Sequence, residues 1–148
     1  MILSLPWLLL SVIVYNVVVF GFGADSVDPA SGLVDPAVLF NEVLFKMPML
    51  SGAVWSFTLG NLLVIFTLML LFMEILKATR TSGNSLVDHG LSTLVFVICL
   101  VEFLTVEEAA TSVFFIIMII SLIDVIAGFS VTIRAARRDL NVGAGLPH

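Results

Sequence analysis

The chain has 148 residues, of which 60% are hydrophobic and only 11% charged, and its mean hydropathy is +1.20, which excludes an ordinary soluble domain. Six Lys and Arg against 11 Asp and Glu leave a net charge of -5, with no clustered excess of cations to meet nucleic-acid phosphates. Cys99 is the single cysteine, so an intrachain disulfide and a multi-cysteine metal site are excluded as well.

Residues 2–20 form an apolar run broken only by Pro6, Tyr15, Asn16 and small polar groups, and this run can span a bilayer once. A secretory signal is the competing reading, since Gly21 and Gly23 would occupy the small-residue positions of a cut before Ala24. The lack of Lys or Arg ahead of the run, and its length, favour a retained span. Residues 24–51 then form an acidic outer loop carrying Asp25, Asp28, Asp35, Glu42 and one cation, Lys46. Within it Asp35-Pro36 is a helix start, Asp as cap and Pro at the first helical position. A short interfacial helix is predicted over 37–46, too short to span and suited to the headgroup layer.

The second span, 52–76, opens near Trp55 and closes on Lys77 and Arg80; the third covers 86–104. The fourth, 109–133, contains one charge, Asp124, and is followed at once by Arg134, Arg137 and Arg138. Residues 1–140 thus read as a single four-helix transmembrane domain, and 141–148 as a flexible tail. Lys77, Arg80 and the three arginines fall on one side of this scheme and Lys46 alone on the other. By the positive-inside rule both termini are cytoplasmic and the acidic loop is outside.

Small and polar residues fall on one stripe of each helix. Gly60, Thr67 and Glu74 recur every seven positions, while Asp88, Ser92, Cys99 and Glu102, and then Ser121, Asp124 and Gly128, keep related spacings. Such seams let lipid-embedded helices pack closely at about 20°, which predicts a left-handed bundle. The expected fold is an all-α membrane protein with four transmembrane helices and a short interfacial helix in the first extracytoplasmic loop.

Rise per residue gives depth. Glu74, Asp88 and His89 fall within roughly 5 Å of the cytoplasmic surface, Asp124 roughly 13 Å in, and Asn16, Asn61 and Glu102 roughly 21 to 24 Å in. Ser85 to Asp88 and Thr105 to Glu108 have the spacing of capping boxes. Glu74, one turn before Lys77 and level with Arg134, predicts ion pairs at the cytoplasmic interface. His89 has no second His and no Cys nearby, and no metal or cofactor is expected. Asp124 and Glu102 must be satisfied, because a lone carboxylate in hydrocarbon costs several kcal/mol. The expected partners are Asn16 and Asn61 for Glu102, and the hydroxyls of Thr67, Ser11 and Ser92 for a neutral Asp124.

No Ser/His/Asp or Cys/His set, phosphate loop or pair of axial histidines is visible, so an enzyme is not expected. The leading expectation is a structural or accessory subunit of the bacterial inner membrane, whose partners are the lipid bilayer and other membrane subunits or its own copies. The alternative is an oligomeric ion channel or proton-coupled small transporter using Asp124 and Glu102, which would need assembly around a shared axis.

Overall fold

Pro6 has no N–H to lose and a φ already suited to a helix, and the first turn starts from it. Leu9 N–H donates to Pro6 O at 3.1 Å, and Leu10 N–H to Trp7 O at 3.0 Å. A computed structural model describes residues 5–79 and 85–143, and in it helix α1 runs over Leu8–Phe22 and is capped at Gly23. Residues 2–4 of the expected first span lie outside the described residues. The 15 helical residues of α1 cover about 22 Å, less than a hydrocarbon slab.

The outer segment departs from the expected pattern. Helix α2 starts where Asp35-Pro36 predicts, with Asp35 Oδ1 accepting from Ala37 N–H at 2.8 Å, but it covers only Pro36–Phe40. Beyond Asn41 the chain forms two antiparallel strands, β1 over Val43–Pro48 and β2 over Val54–Thr58. Their register sets Phe45 opposite Phe57, Lys46 opposite Ser56 and Met47 opposite Trp55. Aromatic residues suit a pleated surface better than a lone helix turn: Phe45 stacks on Phe57 at 4.7 Å, and Trp55 meets Phe57 edge-on at 5.6 Å. The strands are joined by a turn in which Met49 N–H donates to Ala53 O at 2.8 Å and Gly52 adopts φ +84°, a conformation that costs a residue with a Cβ. The expected interfacial helix over 37–46 is therefore cut short at Phe40, and the expected second span gives up its first residues to β2.

Before α2 the loop folds on Asp28. Its carboxylate accepts from Ser31 Oγ at 2.7 Å, Ala30 N–H at 3.0 Å and Ser31 N–H at 3.1 Å. The Ser31 hydroxyl first, and the Ala30 N–H after it, hold this carboxyl below the usual aspartate range.

Among the described residues, three helices are long and apolar enough to cross a membrane. Helix α3 spans Leu59–Ala78, helix α4 Ser85–Thr105 and helix α5 Ser112–Gly143, whose apolar part is Ser112–Val131. Helix α3 starts at Thr58, whose side chain accepts from Asn61 N–H at 3.2 Å. Thr111 does the same for α5, accepting from Phe114 N–H at 3.1 Å, so that span begins at Ser112 and not at Ala109. The expected Thr105 to Glu108 capping box is absent, since Thr105 Oγ1 bonds back to Val101 O at 2.7 Å. Helix α5 continues through the Ala- and Arg-rich stretch to Gly143, three residues into the expected tail, because these are strong helix formers. The rest of the tail, Arg80, and the side chains of Ser85, Arg134, Arg137 and Arg138 lie outside what is described.

Helix α5 packs against α3 and α4, and α1 closes the group by packing on α3 and touching α4 and α5. Tyr15, Phe114, Ile117 and Cys99 form the centre of the core. The small and polar stripes face inward: Gly60, Thr67, Glu74, Ser92, Ser121, Asp124 and Gly128 are all buried. The opposite faces are apolar and exposed at helical spacing, as at Leu10, Ile13, Val17 and Phe20 of α1 and Leu62, Ile65, Met69, Phe72 and Leu76 of α3.

Candidate functional site

The seam between α4 and α5 carries most of the buried polar chemistry. These helices run antiparallel, so contacts climb one as they descend the other. His89 lies on Gly128, the Ser92 hydroxyl reaches the Asp124 carboxyl, the Cys99 thiol reaches the Ser121 hydroxyl, and Phe103 meets Phe115 at 5.5 Å. The first pair needs a glycine, because a Cβ at Gly128 would stand 2.5 Å from His89 Nδ1. Phe129 borders the imidazole from the same helix, 5.9 Å away between ring centroids. Asp124 is 5% exposed, and of its three expected hydroxyl partners Ser92 is the one that approaches it. Ser11 and Thr67 are buried, but both donate to their own helices, to Leu8 O at 3.0 Å and to Leu63 O at 2.8 Å.

A second polar group joins α3 to the start of α1. Glu74 is buried and accepts at both oxygens, from Trp7 N–H at 2.7 Å and from Lys77 Nζ at 3.1 Å. Lys77 Nζ also donates to Leu5 O at 3.4 Å. The carboxylate thus sits at the N-terminal end of α1, where unpaired N–H groups and the helix dipole favour a negative charge. Glu74 and Lys77 are near enough to act electrostatically on Asp124, so three of the sequence candidates form one charged neighbourhood. The side chain of the fourth, Arg134, is not among those described. In the first turn of α4, Asp88 Oδ1 is, among the described residues, a buried side-chain oxygen with no hydrogen-bond partner.

Toward the hairpin end, Tyr15 links α1 to the start of α5. Its hydroxyl donates to Glu108 O at 2.8 Å and lies 2.6 Å from Thr111 Oγ1, while its ring stacks on Phe40 at 4.9 Å and tilts against Phe114 at 4.7 Å. Asn16 lies one residue on, with its amide donating to Val12 O at 3.1 Å and reaching Glu102 across the α1–α4 contact. Asn61 does not join them. It is exposed on α3, because depth fixes the height of a residue on a helix but not which way round the helix it points.

The Tyr15–Thr111 and Glu74–Trp7 ties were not read from the sequence. A signal existed for the first, a Thr-Ser pair ahead of an apolar run, which marks a helix start. The second involves a backbone N–H, which leaves no trace in residue type.

These groups bond and pack against one another across the helix seams. A cleft of about 280 Å³ lies at the hairpin end between Val19, Phe20, Val34, Pro36, Glu107 and Glu108, and none of Asp124, Ser92, Glu74 or Glu102 lines it. Among the described residues no three His, Cys, Asp or Glu side chains are grouped to hold a metal ion. Compared with protein-family models, with curated proteins and with solved structures, the chain finds no match.

Proposed function

We propose that the chain is a structural or accessory subunit of the bacterial inner membrane, with no catalysis of its own. In this reading it is a left-handed four-helix bundle with both termini in the cytoplasm, and it acts by packing against other membrane proteins or its own copies. The burial of Asp124 against Ser92 in the α4–α5 seam carries the reading. A carboxyl placed there, with a hydroxyl of the facing helix as its partner, ties two helices together. The apolar outer stripes of all four helices support it too, since lipid or a neighbouring helix can cover them equally well.

The test compares the protein with its Asp124→Asn variant, both in proteoliposomes and after extraction in mild detergent. An accessory subunit keeps the same co-purifying membrane proteins in both forms and conducts no protons or ions. Proton or ion flux in the unmodified protein that disappears in Asp124→Asn would replace this reading with the channel or carrier that uses Asp124 and Glu102.

A further inference from the structure

We propose that the β1–β2 hairpin is a lipid-binding element that lies in the headgroup layer of the bilayer at the α3 N-terminal side. Its aromatic face and its Met49–Leu50 tip contact acyl chains, and Lys46 meets lipid phosphates. The proposal rests on α3 being a membrane span.

The hairpin has no linker to hold it away from that span. Strand β2 ends at Thr58, which caps the next element, and the apolar stretch of α3 begins at Leu59. Twenty residues of α3 rise about 30 Å, the full thickness of a hydrocarbon slab, so the base of the hairpin is fixed at the boundary where headgroups begin.

Its two faces match that layer. Side chains alternate along a strand, so Phe45, Met47, Trp55 and Phe57 share one face and Lys46 and Ser56, with Pro48 and Val54 toward the tip, the other. Phe57 is buried, stacked on Phe45 and edge-on to Trp55, but Phe45, Met47 and Trp55 remain nearly half exposed, and at the tip Leu50 is fully exposed. Water is a poor environment for that surface, while the layer that collects Trp side chains in membrane proteins suits it. Charge points the same way. Asp25, Asp28, Asp35 and Glu42 precede the hairpin in sequence, yet between Val43 and Thr58 the single charge is Lys46. A segment whose one charge is a lysine suits lipid phosphate.

The β1 edge disfavours a second protein strand. A two-stranded sheet leaves the outer N–H and C=O groups of both strands unpaired, and these need water, which the headgroup layer retains and the acyl core does not. Addition of a strand from another chain is opposed on β1 by the irregularity between Val43 and Phe45, by Lys46 at mid-strand and by Pro48.

The chain has two tryptophans, which makes the test direct. Trp7→Phe leaves Trp55 as the single reporter and keeps the backbone N–H that Glu74 accepts from; Trp55→Phe leaves Trp7, at the far end of the bundle, as a control for bilayer insertion. Both are placed in nanodiscs of phosphatidylcholine and phosphatidylglycerol, with bromine on the acyl chains near the headgroup or near the bilayer centre. The expected result is a blue-shifted Trp55 emission that falls about two-fold with shallow bromines and much less with deep ones. Adding Leu50→Asp and Met49→Asp should reverse that quenching while helix content, read by circular dichroism, stays the same. Trp55 with water-like emission and no bromine quenching, beside a quenched Trp7, would overturn the proposal and leave the span intact. Blue-shifted but unquenched Trp55, with Trp7 quenched, would overturn it in favour of cover by another protein chain. Loss of quenching at both tryptophans would overturn the membrane span and the proposal together.

Discussion

Gly128 and His89 lie so close that any side chain at position 128 collides with the imidazole: a Cβ there would be 2.5 Å from Nδ1 and 2.8 Å from Cε1. Ser92 and Asp124 meet one turn along the same seam, so the glycine sets how near α4 and α5 approach where the buried acid needs its hydroxyl. Gly128→Ala is expected to destabilise the bundle by about 1–3 kcal/mol, the usual cost of overpacking. Thermal unfolding in detergent measures this. His89→Ala should absorb much of the loss, so the double variant falls short of the sum of the two single ones. Strictly additive losses would show that the two residues do not share a contact.

Two other glycines predict opposite signs. A Cβ at Gly60 would stand 2.9 Å from Phe40 O and 2.9 Å from Val113 Cγ2, and the carbonyl at the end of α2 has little room to move. Gly60→Ala should cost about 1–3 kcal/mol. Gly90 on α4 has nothing within 4 Å, and there Ala replaces a poor helix former with the best one. Gly90→Ala should raise stability by about 0.5–1 kcal/mol in the same melting experiment. A loss at Gly90 equal to that at Gly60 would mean that another chain packs on this face of α4.

The long helices are legible in the sequence because an apolar run of twenty residues has few other stable forms, and α3, α4 and α5 all appear where such runs occur. Their starts are misread wherever apolarity stands in for capping: Thr58 and Thr111 set the first turns at Leu59 and Ser112, later than the apolar runs begin. The hairpin is illegible for a different reason. Val43–Pro48 is almost as apolar as a span, and the signal that separates it from a helix, a turn at Gly52 pairing it with Val54–Thr58, lies among residues that look like the start of α3. In the polar set, height alone finds Ser92 for Asp124 and Asn16 for Glu102. It also suggests Asn61, which points away, and it overlooks Tyr15, whose hydroxyl reaches the start of α5.

That hydroxyl gives the third prediction. Tyr15 is fully buried and bonds both Glu108 O and Thr111 Oγ1, the latter already capping α5 through Phe114 N–H. Tyr15→Phe keeps the ring on Phe40 and Phe114 but strands the Glu108 carbonyl, at a cost of about 1–3 kcal/mol. Tyr15→Ala also removes the ring and should cost about 3–5 kcal/mol. Hydrogen exchange can show whether the loss is local. In Tyr15→Phe the amides at the start of α5 should exchange faster, while those beside Asp124 keep their protection. Uniform acceleration along α5 would contradict a capping role.

The last prediction concerns what Glu74 does, since it has two partners of different kinds. Its contact with Lys77 is a three-residue pair on one helix, with the lysine side chain 17% exposed, and such pairs contribute up to about 1 kcal/mol. Its contact with Trp7 N–H joins two helices and puts negative charge at the start of α1, which is worth about 1–2 kcal/mol. Removing the carboxylate also leaves Lys77 without a counter-charge on its own helix. Glu74→Ala should therefore destabilise more than Lys77→Ala, and Glu74→Gln should fall between them, since its amide oxygen can still accept from Trp7 N–H but carries no charge. Exchange of the first-turn amides of α1 should follow the same order, fastest in Glu74→Ala. If Lys77→Ala frays α1 as much as Glu74→Ala does, the ion pair and not the cap holds the start of this helix.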